Sequence, residues 1–207
     1  MTGARRAMVE IERRFLCRVV DEPALRRAGR ESIIRQGYLA VGDPSVRIRQ
    51  RDGEYVLTVK AGRGRVRREV ELAVPPQEGE ALMAMTGEHR LEKVRYAVGR
   101  WEVDVFGGKL RGLILAEVEL EDAHERLPGP PPWLELVREV TDDGAFTNQQ
   151  LARLGAAEAA RFVREVVEAG APSWPAEHPG GSGVQANRTP GRANPATAPE
   201  PEAREDA

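Results

Sequence analysis

Charged residues recur at every second position in segment after segment of this chain. The first instance is Val9-Glu10-Ile11-Glu12-Arg13-Arg14-Phe15. Side chains on a β-strand alternate between faces, so Glu10, Glu12 and Arg14 share one face. Val9, Ile11, Arg13 and Phe15 share the other. Later segments repeat the pattern. Arg47 and Arg49 flank Ile48, Glu69 and Glu71 flank Val70, and Lys93 and Arg95 flank Val94. Glu102 and Asp104 flank Val103, and Glu117, Glu119 and Glu121 alternate with Val118 and Leu120. A period of two predicts half-buried antiparallel strands with one apolar and one charged face. The sign of the charge changes from strand to strand. On an ordinary sheet such a face meets water and is held by cross-strand ion pairs that contribute little. In a closed barrel the same residues line a lumen with acidic and basic walls, which suits a metal-bound polyanion.

The pairing of Glu10 with Glu12 sharpens this reading. Two carboxylates on adjacent same-face positions repel unless a positive charge lies between them. Hard oxygen donors suit Mg²⁺ or Mn²⁺. A formal net charge of −2 gives no bulk basic field, so nucleic acid is not expected as a partner. The single cysteine, Cys17, excludes an intramolecular disulfide and a cysteine-cluster zinc site, and reads as a packed thiol. No apolar run reaches membrane-spanning length, and Met1 to Met8 has no signal-peptide core, so a cytoplasmic protein without a membrane partner is expected. Only three of the 31 basic residues are lysines: Lys60, Lys93 and Lys109. Lys60 and Lys93 fall in charged strand segments, which hints at a need for a compact ammonium there.

The chain divides into a basic leader (1–7), one domain (8–170) and a Pro/Gly/Ala-rich tail (171–207) expected to be disordered. Strands are predicted at about 8–16, 34–41, 46–52, 54–61, 66–74, 93–98, 101–107 and 113–121. Asp52-Gly53 marks a hairpin between two of them. Short helices are predicted at 23–29 and 77–85. Pro-Gly-Pro-Pro-Pro at 128–132 is a stiff connector, and 134–140 reads as one more strand or an edge segment. Helices follow at 148–154, capped by Thr147, and at 156–169.

Glu10-x-Glu12-x-Arg14 resembles the ExExK signature of the CYTH, or triphosphate tunnel metalloenzyme, superfamily, with Arg in place of Lys. Arg47-x-Arg49, Lys60, Glu69-x-Glu71, Lys93-x-Arg95, Asp104 and Glu117-x-Glu119 follow in the family's order. Gln36-Gly37-Tyr38-Leu39 is similar to its second strand. Arg138 to Thr141 and Phe146 to Ala152 are similar to the end of its compact bacterial members. The resemblance spans roughly residues 8 to 165.

It implies a mainly β (α+β) fold: a closed eight-stranded antiparallel β-barrel with peripheral and C-terminal helices, its lumen a charged tunnel. It further implies metal-dependent hydrolysis of a triphosphate, first of all inorganic triphosphate to pyrophosphate and phosphate. The residues expected to carry the reaction are Glu10, Glu12, Arg14, Lys93 and Glu119. By the resemblance Glu10, Glu12 and Glu119 bind a first Mg²⁺ or Mn²⁺, and Asp104 and Glu117 support it or help hold a second ion. Arg47, Arg49, Lys60, Lys93 and Arg95 would clamp the phosphates. Glu69 and Glu71 orient those bases or bind the second metal, and Tyr38 supports the site. Arg14 departs from the family's lysine. An arginine stays protonated and is a poor base, so it serves if the position needs only positive charge. Thiamine-triphosphatase activity, class IV adenylyl cyclase activity and a non-catalytic polyphosphate-binding module are the alternatives. A monomer or a homodimer is compatible with the sequence.

Overall fold

A computed structural model describes residues 11–61, 68–122 and 125–169. Glu10, the leader and the tail from 171 onward lie outside the described residues. Nine strands form one sheet: β1 (Ile11–Val19), β2 (Arg30–Ala40), β3 (Ser45–Arg51), β4 (Glu54–Ala61), β5 (Arg68–Val74), β6 (Arg90–Val98), β7 (Trp101–Phe106), β8 (Ile114–Leu120) and β9 (Leu134–Glu139). Their order is β5-β4-β3-β2-β6-β7-β8-β1-β9, with every pairing antiparallel.

The expected count of eight becomes nine, because 134–139 is a full strand paired with β1. Its sequence is ambiguous because it follows the proline connector, and its pairing with β1 shifts register at Leu16/Cys17. Among the described residues no ladder joins β5 to β9, so the pairing is that of a continuous sheet.

Local chemistry sets the turns. Asp52 and Gly53 have φ of 51° and 93°, the two left-handed positions that a tight hairpin demands. Helix α1 (Glu22–Ala28) starts where the Asp21 carboxylate accepts from the Ala24 amide at 2.9 Å. Helix α2 (Pro76–Met85) lies on the back of β3 and β4, where Met83 packs with Ile48 and Tyr55. Gly79 permits this approach: a Cβ there would sit 2.2 Å from Tyr55 Cγ. No helix among the described residues is long and apolar enough to cross a membrane.

The two faces of the sheet bury different things. Phe15, Trp101, Val103, Ala116 and Val118 pack on the outer face with Leu25 of α1 and Trp133 of the connector. Cys17 is buried in the same cluster, as its position in the alternation predicts. The other face is charged along most of its length but apolar at one end. There Leu16, Tyr38, Leu91, Phe106 and Leu115 meet α3 (Asn148–Arg153) and α4 (Ala156–Ala169) through Phe146, Leu151 and Phe162. These helices form an apolar plug over one end of the charged face. Burying each large side chain of the plug contributes about 1.5–3 kcal/mol.

Candidate functional site

The strand registers place the charged residues on one face. Residues directly opposite in an antiparallel pair point the same way. Glu12 lies opposite Glu119, and Arg14 opposite Glu117. Glu117 lies opposite Glu102, and Asp104 opposite Arg95. Lys93 pairs with Ile34, Tyr38 with Arg47, and Gln36 with Arg49. Thr58 stands between Arg47 and Glu71, and Lys60 opposite Glu69. All the sequence-predicted site residues among the described ones therefore share a face. Glu10 lies outside the described residues.

Two networks divide this face. In the first, on β1 and β6–β8, Arg14 donates to Glu12 Oε1 at 2.6 Å and to Glu117 Oε1 at 2.7 Å. Arg95 donates to Glu117 Oε2 at 2.7 Å and grips both Asp104 oxygens at 2.6 and 2.7 Å. It also pairs with Glu102. Lys93 Nζ donates to Asp104 Oδ2 at 2.5 Å and to Asn148 Oδ1 at 3.2 Å. A guanidinium fork matches a carboxylate geometrically, which explains the two-toothed Arg95–Asp104 contact.

The second network lies on β3–β5. Arg47 donates to Thr58 Oγ1 at 3.1 Å, and Thr58 donates to Glu71 Oε1 at 3.2 Å. Glu71 is 3.7 Å from Arg47 and 3.8 Å from Arg49. Lys60 pairs with Glu69 at 2.8 Å. Tyr38 Oη accepts from Gln36 Nε2 at 3.3 Å. Among the described residues the buried Arg47 Nε–H has no hydrogen-bond partner. A buried unpaired donor is costly, and an anion's oxygen would satisfy it.

Electrostatics differ along the face. Burial and the neighbouring Glu117 carboxylate push the Glu12 carboxyl up to about 7, against the pull of Arg14. Its side chain keeps 44% exposure, so the group is recessed rather than sealed. Burial would also raise Asp104 and Glu117, but Lys93 and Arg95 outweigh it and hold both below the usual carboxylate range. Burial lowers Lys93, opposed by Asp104, and lowers Arg49 together with the charge of Arg47.

Among the described residues no group of three His, Cys, Asp or Glu side chains is gathered closely enough to hold a metal ion. The physical reason is visible: Arg14 and Arg95 draw Glu12, Glu117 and Asp104 to themselves. The donor chemistry still suits a hard divalent ion. Glu12 and Glu119 are directly opposed carboxylates, and Glu12 is crowded by like charge that a cation would relieve.

Sequence reasoning missed Asn148, Thr58 and, as a site residue, Glu102. Glu102 had a signal, since it sits in the same alternation as Asp104. Thr58 had the same signal, two residues from Lys60 on one strand, whereas Asn148 is joined to the site only by tertiary contacts. Arg138 lies opposite Leu16, on the same face, and among the described residues its buried Nε–H has no partner.

No family model matches the chain. Curated relatives do. An inorganic triphosphatase of Nitrosomonas europaea is 38% identical over 155 residues, covering 70% of this chain and 97% of the relative. One of Acetivibrio thermocellus is 34% identical over 151 residues, covering 70% and 93%. A crystal structure of an inorganic triphosphatase matches at 36% identity with a TM-score of 0.55, covering 72% of this chain and 97% of that one. With such identity over nearly the whole length of both relatives, the chain belongs to the bacterial inorganic triphosphatases of the CYTH, or triphosphate tunnel metalloenzyme, superfamily.

Proposed function

We propose that this protein hydrolyses inorganic triphosphate to pyrophosphate and phosphate on the charged face of its sheet. The observation that carries the reading is the juxtaposition on one face of a basic row, Arg47, Arg49, Lys60 and Arg95, with the acidic group Glu12, Glu102, Asp104, Glu117 and Glu119. Phosphoryl transfer needs little covalent chemistry from the protein and depends on positioning and charge stabilisation. Arg47 and Arg49 are held by Glu71 at 3.7–3.8 Å, loose contacts that a phosphate oxygen would displace. The Arg47 Nε–H, unpartnered among the described residues, gives such an oxygen a ready donor.

Glu12 and Glu119, with Glu10 next in the alternation, would hold Mg²⁺ or Mn²⁺. The ion supplies charge neutralisation on phosphate oxygens when bound. Asp104 and Glu117 support the site by fixing Arg95, and Glu69 and Glu71 orient the basic row. Arg14 stays protonated, its burial outweighed by Glu117 and Glu12, and so acts as a fixed positive charge rather than a base. Water attacks the terminal phosphorus, the bond to the bridging oxygen breaks, and pyrophosphate leaves with that oxygen.

Closure of the sheet into a barrel, with β5 brought to β9, belongs to the same proposal, because enclosure would remove water's screening of these charges. So does a cytoplasmic setting. Arg14, tied to both Glu12 and Glu117, also favours a second reading, a triphosphate-binding module without turnover.

Phosphate release from inorganic triphosphate, ATP and thiamine triphosphate, each with Mg²⁺, Mn²⁺ or chelator, tests the assignment. Metal-dependent release from inorganic triphosphate, with ATP much slower, is expected. Tight triphosphate binding by folded protein without release from any substrate would overturn the hydrolase and leave the binding module.

A further inference from the structure

Lys93 is enclosed together with Asp104, whereas Lys60 on the same face is not. Its side chain is 2% exposed and that of Asp104 is 1% exposed, whereas Lys60 keeps 40%. The Lys93 ammonium donates to Asp104 Oδ2 and Asn148 Oδ1, and lies 5.3 Å from the centroid of the Phe106 ring. It sits at the foot of the apolar plug, with almost no surface left to meet a phosphate.

What Lys93 does touch is informative. It offsets the buried charge of Asp104 and fixes the rotation of that carboxylate. Asp104 in turn holds Arg95 with both oxygens, and Arg95 reaches on to Glu117. At the other end Asn148 is the first residue of α3. Its place is set by the Thr147 cap, whose hydroxyl accepts from the Gln150 amide at 3.3 Å, and by Phe146 buried in the plug. A chain of contacts therefore runs from α3 through Lys93 and Asp104 to the Arg95 guanidinium.

We propose that Lys93 and Asn148 are positioning residues: Asn148 holds the Lys93 ammonium, Lys93 orients Asp104, and Asp104 aims Arg95 at the triphosphate. The inference rests on triphosphate being the ligand of this face. Of the lysines, Lys60 is then the one that meets the polyanion.

With only three lysines in the chain, amine acylation followed by peptide mass spectrometry reads each separately. In the folded protein Lys60 is expected to label and Lys93 to stay unlabelled. Lys109, donating to the carbonyls of Glu88, Ala152 and Leu154, is an internal example of a fully engaged amine. Inorganic tripolyphosphate is expected to protect Lys60 alone. Labelling of Lys93 that tripolyphosphate suppresses would make it a phosphate ligand and overturn the proposal.

Asn148→Ala is expected to lower kcat about tenfold while the calorimetric Kd for tripolyphosphate moves less than about threefold, with Asn148→Asp, which keeps the acceptor oxygen, restoring turnover. Lys93→Met is expected to lose as much, and the double variant no more than Lys93→Met alone, because the two residues act in series. Additive losses, or a Kd that rises as steeply as kcat falls, would overturn it. If Lys93→Met does not fold, the Asn148 pair decides. Should tripolyphosphate fail to bind at all, the functional reading falls separately. Increased Lys93 labelling in Asn148→Ala would still support the hold of Asn148 on Lys93, and unchanged labelling would refute it.

Discussion

At the scale of a single residue, the metal role proposed for Glu12 would be coupled to its protonation. Its carboxyl is raised to about 7, and a divalent ion needs the carboxylate, so an ion bound by Glu12 would displace a proton below that pH. Mg²⁺ or Mn²⁺ affinity is expected to rise with pH through about 7 and level off above it, as titration calorimetry in buffers of different ionisation enthalpy would show. Glu12→Gln should weaken binding and flatten that dependence; an unchanged profile would remove Glu12 from the metal site. For metal-free stability the sign is the reverse of an ion-paired carboxylate. The folded state keeps the proton above the usual value of 4.5, so Glu12's contribution is complete below about 4.5 and is lost as pH climbs to about 7. Cys17 shows the same logic in a thiol: burial pushes it up to about 12, so native protein should resist alkylation near neutral pH and react on unfolding. Fast native alkylation would contradict the packing of β1. Glu12 and Arg14 were legible from alternation alone. The bond that ties Arg14 to Glu117 was not, because it depends on the register between β1 and β8.

Elements carry the site through a few packing contacts. The plug stands on Phe146 against Phe162, ring centroids 5.3 Å apart. Phe146→Ala should cost about 3–5 kcal/mol in urea unfolding, because the cavity opens in a fully buried cluster. A loss below about 1 kcal/mol would show that the end of the face is not sealed this way. Helix α2 depends on Gly79 in a different manner. Gly79→Ala puts a methyl into the Tyr55 ring and is expected to destabilise by about 1–3 kcal/mol through overpacking. A raised Tm would refute that close approach. The Asp52-Gly53 hairpin and the Thr147 cap were readable because their signals are local. Strand β9 was readable only as one of two options, since an edge strand after a proline run owes its conformation to the partner it finds on β1.

The whole molecule leaves β5 and β9 as the outer members of the ladder, and all of β5 but Val74 is exposed. If triphosphate draws Arg47, Arg49 and Lys60 of β3 and β4 toward the acids of β1 and β8, the adjoining β5 amides should gain hydrogen-exchange protection when inorganic tripolyphosphate and metal are added. Unchanged protection at saturating ligand would refute closure of the sheet around substrate. By itself the sequence determined eight of the nine strands, the hairpin, the helices and which residues are charged on one face, because a period of two and local turn chemistry act within a few residues. Only the tertiary structure decided which charges meet. The order β5-β4-β3-β2-β6-β7-β8-β1-β9 brings Arg14 of the first strand to Glu117 of the eighth, and the plug brings Asn148 to Lys93. Those partnerships follow from strand order, register and helix docking, which are set by burial summed over the whole chain rather than by any local run of residues.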